Sequence, residues 1–183
     1  MSAASRPAAG PAADPVAPSG TGVVVAIHIA PQARAPMVAL SRVRATAFVG
    51  LEGDRYAAGI GFWSPNEAVD RSITLVEAEE IERLADEAGI HLDPGETRRN
   101  VTTRGIRLND LVGRRFRIGD VECLATRLCE PCQYLTDLIG KPILRPLVHR
   151  AGLRARILND GNIALGDAVV PRDEAPPADA AST

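Results

Sequence analysis

The stretch Gly22-Val-Val-Val-Ala-Ile-His-Ile-Ala30 is rich in β-branched residues and lies directly before Pro31. β-Branched side chains favour an extended backbone, and a continuous apolar run of this length is typical of a strand buried in a core. Residues 22–30 therefore predict a buried strand at the start of the folded region.

Further short strands follow along the chain. They are predicted at residues 38–48, 71–76, 98–104, 114–118, 121–127, 153–158 and 163–170, with a hairpin turn at Gly119-Asp120. Apolar residues recur at helical spacing only at 77–89, where Gly89 is a candidate C-cap, and a shorter helix is predicted within 129–140. These elements do not alternate as in a parallel βαβ sheet. The sequence therefore predicts a mainly β fold, an antiparallel β-barrel with one or two helical insertions.

The composition fits one globular domain between two tails. Of the 183 residues, 45% are hydrophobic, enough for a core without disulfide or metal support. Residues 1–20 are rich in Ala and Pro and predict a disordered tail, residues 21–172 predict the folded domain, and residues 173–183 predict a second disordered tail. The sequence shows neither an apolar run of ~20 residues nor a signal peptide, which predicts a cytoplasmic protein without a membrane partner.

Charge is distributed unevenly along the chain. The net charge is −2, yet residues 97–157 carry 13 Arg and Lys against 5 Asp and Glu. Arginine binds phosphate with a planar, two-pronged group, so this basic half predicts an anion site. A nucleic-acid partner is not favoured, because base stacking needs aromatic side chains and the basic half has only Phe116 and Tyr134.

The basic half also contains all three cysteines, two of them in Cys129-Glu-Pro-Cys-Gln-Tyr-Leu135. If Pro131 is the first residue of a helix, Cys132 lies in its first turn, where free N–H groups and the helix dipole favour a thiolate. A redox-active pair, a zinc site and inert buried thiols are the alternatives. The spacing alone leaves these open, although no βαβ unit or second ligand pair supports the first two.

Several motifs, in this order, resemble those of the MOSC domain, the module named for the C-terminus of molybdenum cofactor sulfurases. They are Gly50-Leu-Glu-Gly-Asp-Arg-Tyr56, Ile73-Thr-Leu-Val-Glu77, Gly95-Glu-Thr-Arg-Arg-Asn-Val101, Leu108-Asn-Asp-Leu-Val-Gly113, Cys129-Glu-Pro-Cys-Gln-Tyr-Leu135, His149-Arg-Ala-Gly-Leu-Arg-Ala155 and Gly166-Asp167. The resemblance spans residues 22–170. It implies a β-barrel that binds a molybdenum cofactor through a cysteine and through the phosphate of its pterin.

The resemblance also implies roles for individual residues. Cys132 matches the family's single invariant cysteine and is the expected molybdenum ligand. Arg98 and Asn100 match an Arg-x-Asn element that meets the cofactor, and the neighbouring arginines Arg104, Arg150 and Arg154 are further candidates to hold it.

Two activities are implied for such a protein. One is the reduction of N-hydroxylated compounds with electrons from a donor protein. The other is sulfur transfer, with a persulfide on Cys132 supplied by a pyridoxal-phosphate-dependent cysteine desulfurase. A binding module whose arginine-rich half docks on an anionic partner is the third hypothesis.

Overall fold

The structure is a computed structural model that describes residues 20–60 and 72–172. Apart from residue 20, the two predicted tails lie outside the described residues. No helix within these two ranges is long and apolar enough to cross a membrane.

The described part of the chain contains eleven strands and two α-helices. The strands are β1 Gly22–Ile29, β2 Val38–Leu40, β3 Arg42–Thr46, β4 Gly50–Leu51, β5 Ile73–Glu77, β6 Val101–Arg104, β7 Arg115–Ile118, β8 Val121–Leu128, β9 Leu153–Ile157, β10 Gly161–Ala164 and β11 Ala168–Arg172. Helix α1, Ala78–Ala88, follows β5, and helix α2, Gln133–Ile139, lies between β8 and β9. Short 3-10 helices occupy Pro94–Thr97 and Leu108–Leu111.

Seven of the described strands close into a barrel in the order β11-β7-β8-β9-β5-β6-β1. The barrel closes where Gly22 of β1 pairs with Val169 of β11. All neighbouring pairs are antiparallel except β5 and β6. These two strands run parallel, and α1 lies between them in the sequence. The predicted mainly β barrel with helical insertions is therefore confirmed, with one parallel pair as its exception.

Alternating side chains fill the barrel. Leu153, Ala155 and Ile157 of β9 are fully buried, whereas Arg154 and Arg156 between them are half-buried and point to the other face. Phe116 is the largest fully buried side chain of the core. The same alternation that builds the core thus turns Arg154 away from it.

A second, smaller core joins the two helices beside the barrel. It contains Leu84 of α1, Leu135 of α2 and the buried Leu92, Ile143, Leu147 and Ala151. Helix α1 confirms the prediction for residues 77–89, and Gly89 ends it in the left-handed conformation with φ 64°. This packing fixes α2 against α1 and thereby fixes the loop that precedes α2.

Three strand predictions need correction. Residues 38–48 form two strands, because β2 pairs with β1 of the barrel whereas β3 pairs with β10 in a separate three-stranded sheet. Residues 163–170 are likewise divided between β10 and β11 by a turn at Gly166, where φ is 85°. The strand predicted at 98–104 begins only at Val101, because Arg98 ends a 3-10 helix with φ 60°.

Candidate functional site

A cavity of about 130 Å³ lies beside the N-terminal end of α2; we call it the cysteine cavity. It is lined by Ala33, Arg55, Tyr56, Thr74, Arg98, Arg99, Asn100, Glu130, Cys132, Tyr134, Leu135 and Arg154. The structure thus brings together four of the six site residues predicted from the sequence, namely Cys132, Arg98, Asn100 and Arg154.

Cys132 is the N-cap of α2 and not a residue of its first turn. Its backbone is extended, with φ −139°, and its carbonyl accepts hydrogen bonds from Leu135 N at 3.0 Å and Thr136 N at 3.1 Å. Pro131 lies one residue before the cap, so the predicted helix start was two residues too early. The thiol nevertheless lines the cavity at a half-buried position.

The other two cysteines are buried. Cys123 lies in the barrel core, and burial raises the pKa of its thiol. Cys129 is 4% exposed, and its Sγ accepts a hydrogen bond from Arg154 Nε at 3.4 Å. Cys132 is therefore the cysteine most accessible to a ligand or reagent.

Positive charge is concentrated around this thiol. Arg55 is 7% exposed, lies 3.6 Å from Asp54 Oδ2, and its Nη1 has no hydrogen-bond acceptor among the described residues. Burial, and after it the repulsion of Arg55, lowers the pKa of Arg98. Two guanidinium groups close enough to repel each other, one with an unmet buried N–H, form a site that an anion would stabilise.

Asn100 and Asp54 connect three parts of the cavity wall. Asn100 Oδ1 accepts bonds from Thr74 N and Oγ1, and its Nδ2 donates to the His28 carbonyl and Asp54 Oδ2 at 3.2 and 3.3 Å. Asp54 also accepts from the backbone N–H groups of Ala30 and Tyr56. These bonds use both donors and both acceptor positions of the Asn100 amide, so its side chain fixes the wall of the cavity.

Arg99 holds the segment that leads to Cys132. It is 8% exposed and donates to three carbonyls: Nε to Ala151 at 2.8 Å, Nη2 to Cys129 at 2.9 Å and Nη1 to Thr97 at 3.3 Å. Glu130, next along, accepts hydrogen bonds from His149 N at 2.8 Å and lies 2.7 Å from His149 Nδ1. The loop before α2 is thus tied to the loop before β9 at two points.

Arg104 and Arg150 are placed outside the cysteine cavity. Arg104 pairs with Glu82 of α1 at the surface, and Arg150 lies 3.3 Å from Glu80. Glu80 is 4% exposed and also binds Arg83 and Arg107 at 2.6 and 3.2 Å. In this structure both arginines therefore pair with carboxylates of α1.

Glu80→Gln is expected to lower stability by about 2 kcal/mol at neutral pH, because charged hydrogen bonds become neutral ones. Burial acts to raise the pKa of Glu80, but the bonds from Arg83 and Arg150 outweigh it, so the pKa lies below its ordinary value. A lowered folded-state pKa adds stability above the unfolded-state pKa, and this stability is lost as the pH falls through the folded-state pKa.

Urea unfolding of wild type and of Glu80→Gln between pH 7 and pH 3 measures the difference in their free energies of unfolding. This difference should shrink towards zero at pH 3. The control is Glu87→Gln, because Glu87 also pairs with Arg83 but is 63% exposed, so its removal should cost less than about 0.5 kcal/mol. A constant difference across this range would contradict the assigned role of Glu80.

Eight cavity residues were not among the predicted site residues: Ala33, Arg55, Tyr56, Thr74, Arg99, Glu130, Tyr134 and Leu135. Arg55 and Tyr56 belong to the glycine-rich motif at 50–56, and Tyr134 belongs to the cysteine motif. Their place in these motifs could have identified them as site residues from the sequence. Among the described residues, no group of three or more His, Cys, Asp or Glu side chains is placed to hold a metal ion.

The fold and the site together define a β-barrel protein with an accessible thiol in a basic cavity. The family model of the MOSC domain matches residues 30–170, more than half of the chain. The chain therefore belongs to the MOSC domain family, which is known to bind the molybdenum cofactor. A search of curated protein sequences found no match.

Solved structures support the same fold. The crystal structure of the YuaD protein from Bacillus subtilis aligns with a TM-score of 0.70 at 18% identity, covering 84% of this chain and 97% of that one. YiiM from Geobacillus stearothermophilus aligns with a TM-score of 0.60 at 18% identity over 83% of this chain and 75% of its own. YiiM from Escherichia coli aligns with 0.61 at 16% identity over 85% and 72%. At these identities the comparisons establish the fold alone.

Proposed function

We propose that this protein binds a molybdenum cofactor, with Cys132 as the metal ligand, and reduces N-hydroxylated compounds. One observation carries the proposal: the accessible thiol of Cys132 shares a cavity with Arg55, Arg98 and Arg154. The cavity therefore combines a soft sulfur donor with several groups that bind phosphate.

The residues present fit such a cofactor. Its phosphate would accept from Arg98 and from the unmet Nη1 of Arg55, and the added negative charge would relieve the repulsion between these two guanidinium groups. Arg154, which already bonds Cys129 Sγ, adds positive charge on the side of the cavity nearest to the cysteines. When bound, molybdenum supplies the two-electron redox chemistry, with electrons from a donor protein.

The chain's own residues would orient the substrate and supply protons. Reduction of an N–OH group to N–H consumes two electrons and two protons and releases water. Glu130 lines the cavity and lies 2.7 Å from Nδ1 of His149, whose side chain is 73% exposed. A proton taken up from solvent at His149 Nε2 can therefore be released from Nδ1 to Glu130 Oε1 and pass on into the cavity.

The metal content of the protein tests this proposal. Wild-type protein made in a host that synthesises the cofactor is expected to contain molybdenum, whereas Cys132→Ser should lose at least about nine-tenths of it, since a hydroxyl is a poor substitute for a soft thiolate. Cys129→Ser is the matched control and should keep its molybdenum, because Cys129 lies in the protein interior. Absence of molybdenum from wild type, or equal loading of the two variants, would reject the proposal.

Glu130→Gln is expected to lower kcat about 100-fold on the loaded protein, the usual contribution of a positioned proton donor. Its molybdenum content should stay at the wild-type level, because an amide preserves the shape of the cavity wall. Turnover with a chemical reductant, measured beside metal analysis, separates the two effects. Unchanged kcat would exclude Glu130 from proton delivery.

The accessibility of Cys132 also favours sulfur transfer as a second candidate function. A persulfide there would lie in the cysteine cavity at a half-buried position, whereas Cys123 and Cys129 are buried. Incubation with a cysteine desulfurase and cysteine should then add the mass of one sulfur to wild type and not to Cys132→Ala.

A further inference from the structure

A second, larger cavity of about 650 Å³ adjoins the cysteine cavity; we call it the side groove. Its walls come from Arg34, Pro36 and Met37, from residues 93–96 at the start of the 3-10 helix Pro94–Thr97, and from Leu138 and Ile139 at the end of α2. Arg98 lines both cavities. The side groove therefore continues the cysteine cavity past the Arg98 side chain.

Arg34 and Tyr134 also lie at the boundary between the cysteine cavity and the side groove. The Arg34 guanidinium lies 5.8 Å from the centre of the Tyr134 ring, within reach of a cation–π interaction. Arg34 lines the side groove and Tyr134 lines the cysteine cavity. Arg98 donates to the carbonyl of Ala35, next to Arg34, so one loop carries both contacts.

The walls of the side groove are apolar, with a cationic bias. Met37, Leu138 and Ile139 are half-buried and supply the apolar surface. Of the two carboxylates, Glu96 binds Lys141 Nζ at 2.6 Å, and Asp93 completes a capping box with Glu96. Lys141 therefore balances the charge of Glu96, whereas Asp93 keeps its own. Arg34 and Arg98 outnumber this one remaining carboxylate, so the lining carries a net positive charge.

Gly95 and the His28 ring form an uncharged part of the side groove. Gly95 lies against the His28 ring, and a Cβ added to Gly95 would come within 3.2 Å of His28 Cδ2 and 3.4 Å of Met37 Cβ. Burial lowers the pKa of His28, so its imidazole is neutral at neutral pH. An uncharged imidazole ring between apolar side chains suits an aromatic ring of the ligand.

We propose that the side groove binds the aromatic part of the substrate, that it accepts flat neutral aromatic molecules, and that it rejects cations of the same shape. The end to be reduced would reach past Arg98 to the cavity of Cys132. The role of the side groove in substrate binding rests on the proposed function. Ligand binding in the side groove is nevertheless measurable without molybdenum.

The methionine content of the chain provides a direct test. The chain has two methionines, Met1 and Met37, so protein labelled with ¹³C in the methionine methyl group gives at most two signals, and Met37→Leu assigns them. Benzamide and the benzamidinium cation have nearly the same shape and differ in charge. Benzamide is expected to shift the Met37 signal saturably, and benzamidinium to bind at least about 10-fold more weakly, as expected for a ligand repelled by nearby guanidinium groups.

Two results would overturn the inference: a Met37 signal that benzamide leaves unchanged, or equal binding of the two probes. Arg34→Gln should reduce the ratio of the affinity for benzamide to the affinity for benzamidinium, because it removes one of the two arginines that line the side groove. An unchanged preference would overturn the role given to the charge of Arg34.

Substrate selectivity of the loaded protein provides the second measurement. Leu138→Trp should lower kcat/KM for benzamidoxime at least about 10-fold relative to kcat/KM for hydroxylamine, which has no ring to place. Val112→Trp, at an exposed position outside both cavities, is the control and should leave this ratio unchanged. Failure of molybdenum binding would reject the proposed function, whereas an unaltered ratio in an active Leu138→Trp protein would reject the side groove alone.

Discussion

Gly152→Ala is expected to prevent folding, or to destabilise the barrel by at least about 4 kcal/mol, the range of severe core substitutions. Gly152 has φ 107°, and a Cβ there would lie 1.9 Å from the carbonyl oxygen of Leu75 and 3.0 Å from its carbonyl carbon. Both atoms belong to the backbone of β5, which pairs with β9 immediately after this glycine. Neither strand can withdraw without opening the barrel.

The same substitution should also disturb the functional site. The Gly152 carbonyl accepts a hydrogen bond from Cys129 N at 2.7 Å, so a shift of this glycine moves the segment that leads to Cys132. Circular dichroism and thermal unfolding measure the loss of structure. Any folded fraction should contain less molybdenum than wild type.

Gly140→Ala separates steric overlap from backbone strain. Gly140 ends α2 with φ 67°, and no atom of the described residues lies within 4 Å of an added Cβ beyond its immediate surroundings in the chain. Its substitution should cost only about 1 kcal/mol, the penalty of a left-handed non-glycine residue. Equal stability of Gly152→Ala and Gly140→Ala would show that the backbone of β5 shifts at Leu75 to accommodate the added Cβ.

Local sequence signals predicted the elements that local physics determines. The β-branched run at 22–30 became β1, the hairpin around Gly119-Asp120 became β7 and β8, and Gly89 ends α1. Each of these features depends on intrinsic propensity, turn chemistry or capping within a few residues. Such signals are contained in the sequence itself.

Pairing between distant segments could not be predicted in this way. Residues 38–46 leave one sheet for another at a bend at Ser41, and side-chain alternation does not report a change of partner. The parallel pairing of β5 with β6 likewise depends on where α1 packs. Tertiary contacts, which no local pattern contains, decide both.

For the candidate site too, local motifs indicated some residues, whereas tertiary contacts alone place others. The motifs indicated Cys132, Arg98 and Arg154, which share the cysteine cavity. Charge alone could not separate them from Arg104 and Arg150, which bind carboxylates of α1. Arg55 reaches the cavity because Asp54 bonds to the end of β1 at Ala30, a contact between segments 24 residues apart.

Asn100→Asp is expected to destabilise the protein by about 3 kcal/mol at neutral pH, although the side chain keeps its size. The substitution replaces two N–H donors by an oxygen that faces the His28 carbonyl at 3.2 Å and Asp54 Oδ2 at 3.3 Å. Asn100 is 7% exposed, so water cannot screen the new repulsion effectively. The Asp54 loop, which carries Arg55, should loosen first, and anion binding in the cysteine cavity should weaken with it.

The pH dependence of this defect distinguishes electrostatic repulsion from lost shape. Burial next to Asp54 should raise the folded-state pKa of the new carboxyl above its unfolded value, so protonation restores a donor towards Asp54 and the deficit relative to wild type should shrink as the pH falls. Thr74→Val is the control, because it removes the two bonds of the Thr74 hydroxyl, one donated to Asn100 Oδ1 and one accepted from Asn100 N, without adding charge, and it should cost about 2 kcal/mol at every pH. A deficit that does not change between pH 7 and pH 4 would mean that the repulsion is relieved by movement of the loop, and Asn100 would then not be the residue that fixes the cavity wall.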